Sequence, residues 1–190
     1  MEKFPEDIIR TLLNTVELDL LPIAFKGLDE DGITYDYISV SFDRKSGVVY
    51  LTIKGPSGDL PVDPECIAAL GDKYWPLALA RDLDDAIVHL SFNELELGTW
   101  VFRSVGDIDS VANVDDILIK HKDHWLINEI IQYLKRVLKR IDLASRSLFT
   151  LVEPGSCFAG TLLELEQAFH SSILNQLSCL CLFQTRKKIR

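Results

Sequence analysis

Apolar residues recur every three or four positions at the start of the chain, where Ile8, Ile9, Leu12, Leu13 and Val16 follow a proline suited to a first helical turn. An amphipathic helix is predicted from Pro5 to Glu17. From Leu20 to Asp31 the period is lost, and Asp29-Glu30-Asp31-Gly32 supplies turn chemistry, so a connector is expected there. Beyond Tyr35 the period falls to two. Ile38, Val40 and Phe42 face one way and Ser39 and Ser41 the other, and after the polar turn Asp43–Gly47 the residues Val49, Leu51 and Ile53 alternate with Tyr50, Thr52 and Lys54. Two such runs joined by a short turn predict an antiparallel hairpin, closed at Gly55–Asp59 by a plain turn without the Gly-Lys-Ser/Thr ending of a phosphate loop.

Between Asp63 and Asn93 the apolar positions fit one or two helices, with Asp63 before Pro64 as cap and first turn. Thr99-Trp100-Val101-Phe102 is a short continuous apolar run of the kind found in strands buried on both faces. A second helical region follows, strongest over Leu126, Ile127, Ile130, Ile131, Leu134, Val137, Leu138 and Ile141. Leu148–Val152 repeats the buried-strand pattern, and helical spacing resumes from Ala159 to Phe169. Strand, helix, strand, helix in this order predicts an α/β fold with parallel strands and crossover helices.

With 190 residues the chain has the size of one globular domain or a little more, and its 20 basic against 29 acidic residues give a net charge of -9. That balance argues against nucleic acid as a partner. Apolar runs fall short of the roughly 20 residues that span a bilayer, so no membrane contact is expected, and the absence of a secretory-type start points to the cytoplasm. Cys66, Cys157, Cys179 and Cys181 lack redox or zinc spacing.

The most informative segment is the turn after Val152. Pro154, Gly155, Ser156, Cys157, Ala159 and Gly160 join a strand to a helix, and a helix start aims free N–H groups outward, as an oxyanion requires. An ordinary strand-to-helix turn has the same composition. Glu164, one helical turn past Gly160, is a candidate proton-transfer group or a surface glutamate. Cys157 reads as packing. His121 and His124 are close enough for one metal, yet no third ligand completes a set, so no metal is expected. The basic cluster Lys135, Arg136, Lys139 and Arg140 is most simply a solvated helix end.

Two longer stretches carry a resemblance: Trp75-Pro76-Leu77-Ala78-Leu79-Ala80-Arg81-Asp82-Leu83-Asp84-Asp85-Ala86-Ile87, and Asn93-Glu94-Leu95-Glu96-Leu97-Gly98-Thr99-Trp100-Val101-Phe102-Arg103. With His121–Trp125, Ser145–Phe149 and Glu153–Thr161, they resemble the second half of the benzoyl-CoA-dihydrodiol lyase family, itself similar to the enoyl-CoA hydratase (crotonase) superfamily. The resemblance spans about Gly32 to Leu165. It implies a crotonase-like ββα spiral over residues 32–165, incomplete at the C-terminus, after an N-terminal helix and connector (1–31) and before an unrelated tail (166–190). It also implies an acyl-CoA substrate, no separate cofactor, and non-hydrolytic cleavage of a benzoyl-CoA dihydrodiol in aerobic aromatic degradation.

The superfamily's paired oxyanion amides map by resemblance onto Gly160 and Thr161 and onto Val105 and Gly106, and its acid/base glutamate onto Glu164. Where the family carries a run of glycines, this chain reads Ala159-Gly160-Thr161, and no Ala-Gly-Ala-Asp segment follows Phe102. A second reading follows from those departures: a catalytically silent half that packs against an active crotonase-like half, or against its own copy.

Overall fold

The computed structural model describes residues 27–58 and 60–163, and the backbone of 171–174. The helix expected over Pro5 to Glu17, Glu164 and the remainder of the last helix, Cys179 and Cys181 lie outside them. The described chain is α/β, and it is organised on a seven-stranded sheet whose spatial order follows the sequence. Strands β1 (Gly27–Asp29), β2 (Gly32–Thr34), β3 (Ile38–Asp43) and β4 (Val48–Lys54) form an antiparallel meander. Strands β5 (Thr99–Val105), β6 (Ser147–Val152) and β7 (Ser171–Leu174) then add in parallel to β4. The hairpin expected from the alternation around Asp43–Gly47 pairs Val40 with Leu51 and Phe42 with Val49.

Between β4 and β5 run helices α1 (Pro64–Leu70) and α2 (Trp75–Asn93), joined by a single 3-10 turn. Between β5 and β6 run α3 (Ile108–Lys120) and α4 (Trp125–Asp142). Antiparallel strands need only a tight turn, whereas parallel ones need a crossover of a dozen residues or more, which is why α1 to α4 sit after β4. Asp107 starts α3 by accepting a hydrogen bond from Ser110 N–H at 2.8 Å. Asp63 precedes α1 without a side-chain cap; Pro64 alone marks that start. One strand–strand–helix unit of the expected spiral, β3–β4–α1/α2, is complete.

Three expectations are corrected. The connector ends earlier than residue 31, because Asp29-Glu30-Asp31-Gly32 turns a hairpin between β1 and β2. The helical region before β6 is two helices, broken at His121–His124, where the chain reverses. And β5 and β6 are buried on one face only: Trp100 and Phe102 are fully enclosed while Val101 and Phe149 are half-buried.

The core lies between that face and the helices. Val49, Leu51, Ile53, Trp100 and Phe102 meet Leu79, Leu83 and Ile87 of α2 and Ile127, Ile130 and Val137 of α4. Polar contacts set α2 against the meander: Tyr37 N–H donates to Asp82 Oδ2 at 2.9 Å, Tyr35 O–H to Asp85 Oδ2 at 2.9 Å, and Trp75 Nε1–H to the Lys54 carbonyl at 3.1 Å. Asp82 is 8% exposed, and burial raises its carboxyl above the ordinary value despite the Tyr37 bond. Trp100, wholly buried at the sheet centre, also gives its Nε1–H to the Leu97 carbonyl. Trp100→Ala leaves a large cavity there, and urea denaturation should register a loss of about 3–5 kcal/mol.

Candidate functional site

Of the expected site residues, Val105 and Gly106 lie at the carboxyl end of β5 and Gly160 and Thr161 follow β6, while Glu164 is outside the described residues. Val105, 58% exposed, ends β5, and Gly106 turns the chain toward α3. Gly106 passes the backbone of Gly55 so closely that an added Cβ would stand 3.0 Å from the Gly55 Cα. Its N–H is already used: it donates to the Gly155 carbonyl at 3.1 Å. Gly55 N–H in turn donates to the Val105 carbonyl at 2.9 Å, so the turn after β5 is laced to its neighbours through the main chain.

Gly160 and Thr161 begin the helical residues 160–163 that follow β6. Here a residue that sequence reasoning passed over takes the central place. Thr161 N–H donates to Asp115 Oδ2 at 2.7 Å, and the Thr161 hydroxyl donates to Asp115 Oδ1. Asp115, on α3, thus caps the helix start from 46 residues away in sequence, satisfying a donor that the helix leaves unpaired. Gly160 is required by this contact twice over. Its φ is +47, a left-handed value that costs other residues strain, and a Cβ on it would fall 1.4 Å from Asp115 Oδ2.

Burial raises the Asp115 carboxyl above its ordinary value, the two Thr161 hydrogen bonds pull it back, and the neighbouring Asp116 charge pushes it up again. Tyr74 lies within reach of that charge. Its phenol is pushed up to about 12, chiefly by burial and then by Asp115, and its hydroxyl is enclosed without a hydrogen-bond partner among the described residues. Beside Asp115 and Thr161 is a small cavity of about 10 Å³, walled by Trp75, Leu79, Val114, Leu118, Leu134 and Leu162 among others. That is the room of about one water molecule, against the several hundred Å³ typical of a small-molecule site.

Cys157 is fully buried, its N–H donating to Ser104 Oγ at 2.9 Å, and burial raises its thiol; it packs, as its surroundings in sequence suggested. His121 and His124 flank the turn between α3 and α4, and among the described residues no three His, Cys, Asp or Glu side chains cluster to hold a metal ion. Three residues of the basic cluster of α4 have partners: Arg140 pairs with Asp84 of α2, Lys139 with Asp142 at 2.7 Å, and the Arg136 guanidinium lies 5.5 Å from the Tyr133 ring centre. Among the described residues no helix is long and apolar enough to cross a membrane.

No spacing rule could have singled out Asp115, because its partner is brought to it by the crossover from β5 to β6. Its own neighbours, Val114-Asp115-Asp116, read as an ordinary helix. Two measurements test the arrangement. Gly160→Ala should cost about 1–3 kcal/mol through backbone strain and the Asp115 clash, and pairing it with Asp115→Ala should cost less than the sum of the two changes, since the residues touch.

The second measurement is the pH dependence of Asp115→Asn. A carboxyl raised on folding holds its proton longer in the native state, so native stability falls as pH climbs from the ordinary value of 3.8 toward the raised one. Asparagine lacks that titration. Relative to the parent chain, Asp115→Asn should therefore gain stability steadily with rising pH from about 3.8 and then level off; a pH-independent difference would remove Asp115 from the titration.

No protein-family model matches the chain. Over 147 residues it is 42% identical to the benzoyl-CoA-dihydrodiol lyase of Aromatoleum evansii, a span covering 77% of this chain and 26% of that protein. Among solved structures, an enoyl-CoA hydratase of Geobacillus kaustophilus aligns with a TM-score of 0.48 at 13% identity, over 75% of this chain and 47% of the other. Pseudomonas aeruginosa AtuE aligns with a TM-score of 0.46 at 13% identity, over 73% and 48%. The chain thus spans about a quarter of the length of the lyase it matches, and across that quarter it is a relative of benzoyl-CoA-dihydrodiol lyase.

Proposed function

We propose that the chain serves an acyl-CoA lyase of the benzoyl-CoA-dihydrodiol type, in the cytoplasm, as a supporting segment that packs against an active crotonase-like half and does not itself carry the reaction. The parent reaction is non-hydrolytic ring cleavage of a benzoyl-CoA dihydrodiol. It calls for a thioester carbonyl polarised by two free amides and for a carboxylate that moves a proton. The 42% identity to the lyase supports the reaction class.

One observation carries the supporting role: the Thr161 amide, at the turn where Gly160 or Thr161 is expected to hold the thioester oxygen, is given to the Asp115 carboxyl. A preorganised oxyanion donor must lie about 2.7–3.1 Å from the oxygen that gains charge, with nothing anionic in its place. The Asp115 carboxyl fills that place. The Gly106 amide is likewise spent on the Gly155 carbonyl, and the adjoining cavity of about 10 Å³ admits no acyl group.

The purified chain should therefore leave benzoyl-CoA dihydrodiol unchanged at the uncatalysed rate, with Glu164→Gln giving the same result, and titration calorimetry with benzoyl-CoA should show no heat of binding. Added to a separately produced active half of the lyase, it should raise that half's melting temperature. Turnover by the chain alone that Glu164→Gln abolishes would overturn the supporting role and restore the catalytic one.

A further inference from the structure

Side chains alternate across a strand, so β1 to β6 present a second face opposite the helices. Tyr50 stands near its middle, in one row with Asp29, Gly32, Ser41, Val101 and Phe149. The described helices pack on the other face, yet parallel strands are ordinarily covered on both. Val48, Tyr50, Val101 and Phe149 are only half-buried here.

Two carboxylates and two cations share this face of the strands. Asp29 and Asp43 are exposed on β1 and β3, Lys54 is exposed at the end of β4, and Arg103 is half-buried on β5. The Arg103 guanidinium lies 4.4 Å from the Tyr50 ring centre, and its Nε is enclosed without a hydrogen-bond partner among the described residues. A cation drawn out of water in this way is costly until an anion meets it. Asp43 is held in place by the Lys45 and Ser46 amides, which donate to its Oδ1 at 3.2 and 3.3 Å, and hydrogen bonds from Ser46 keep its carboxyl below the ordinary value. Arg44, beside it, is committed to Glu94.

Register relates the two signs through Tyr50. Asp43 pairs with Val48, two residues before Tyr50, and Arg103 pairs with Thr52, two residues after it. Asp43 and Arg103 therefore stand at equal distances on opposite sides of Tyr50. Lys54 lies four residues beyond Tyr50 along β4, about 14 Å, and Asp29 lies three strands away in the same row, also about 14 Å. An in-plane two-fold axis over Tyr50, tilted by about 35° from the row, exchanges Asp43 with Arg103, and a tilt of about 45° in the same sense exchanges Asp29 with Lys54. One axis thus serves both pairs, and it also sets Val48 over Val101.

We infer that this face binds the same face of a second copy of the chain about that axis. A two-fold contact is isologous, so each pairing forms twice. Arg103 of each copy meets Asp43 of the other, and Lys54 meets Asp29, around a centre built from Tyr50, Val48 and Val101. The dimer is independent of the supporting role, which rests on the amides after β6.

Analytical ultracentrifugation of the full chain tests this, with a reversible dimer of the 21.5 kDa chain as the expected result. Asp43→Arg or Arg103→Asp alone sets like charges together and should weaken the dimer by about tenfold or more. The two substitutions combined should restore it, with circular dichroism unchanged throughout. Asp29→Lys combined with Lys54→Asp makes the same exchange away from the Asp43 turn, and serves if Asp43→Arg disturbs folding. A chain that stays monomeric at every concentration would overturn the inference. So would a dimer indifferent to the single reversals, or one that the exchanged pairs fail to restore.

Discussion

Parallel pairing of β5 with both β4 and β6 is the constraint on which the rest of the molecule hangs. Each parallel step demands a long return, and returns between parallel strands are right-handed almost without exception. Two such returns taken in the same direction along the sheet deliver their helices to the same face. α1 to α4 accordingly share one side, where Trp100 and Phe102 are sealed, and Val101 and Phe149 on the other side are only half covered. A continuous apolar strand is thus satisfied on one side by local connectivity and on the other only by whatever arrives later.

The same returns create the Asp115–Thr161 contact. The crossover from β5 runs out through α3 and back through α4, and the next strand ends in a helix whose first amides come to rest against α3. A helix start is an anion site by default. Here the fold fills it with its own carboxyl group, which stabilises the helix. Gly160 is the backbone signature of that arrangement, since its left-handed φ and absent Cβ are what let the carboxylate approach. A glycine in such a turn therefore admits two readings, close approach of a ligand or close approach of the protein itself, and only the neighbouring side chain tells them apart.

Much was legible from residue order because it depends on local period. Alternation from Ile38 to Lys54 located the hairpin, and helical spacing located α2 and α4, whose apolar stripes face the core. Misreadings arose where one local signal serves two purposes. Asp29-Glu30-Asp31-Gly32 has the composition of a connector and of a hairpin turn alike, and only pairing of Leu28 with Ile33 distinguishes them. The apolar run Thr99–Phe102 suits a strand covered twice, whereas the described helices cover it once.

Residue order by itself determined the α/β class, the hairpin, the parallel strands and, through long motifs shared in order, kinship with a segment of benzoyl-CoA-dihydrodiol lyase. Each of these rests on short-range periodicity or on matched strings, which a linear reading contains. What only tertiary structure decided is who occupies the amides after β6. Asp115 and Thr161 are 46 residues apart, and Gly106 and Gly155 are farther still in sequence than the 3.1 Å between their N–H and carbonyl groups would suggest. Hydrogen-bond satisfaction acts over ångströms in space, and no property of either residue alone announces its partner.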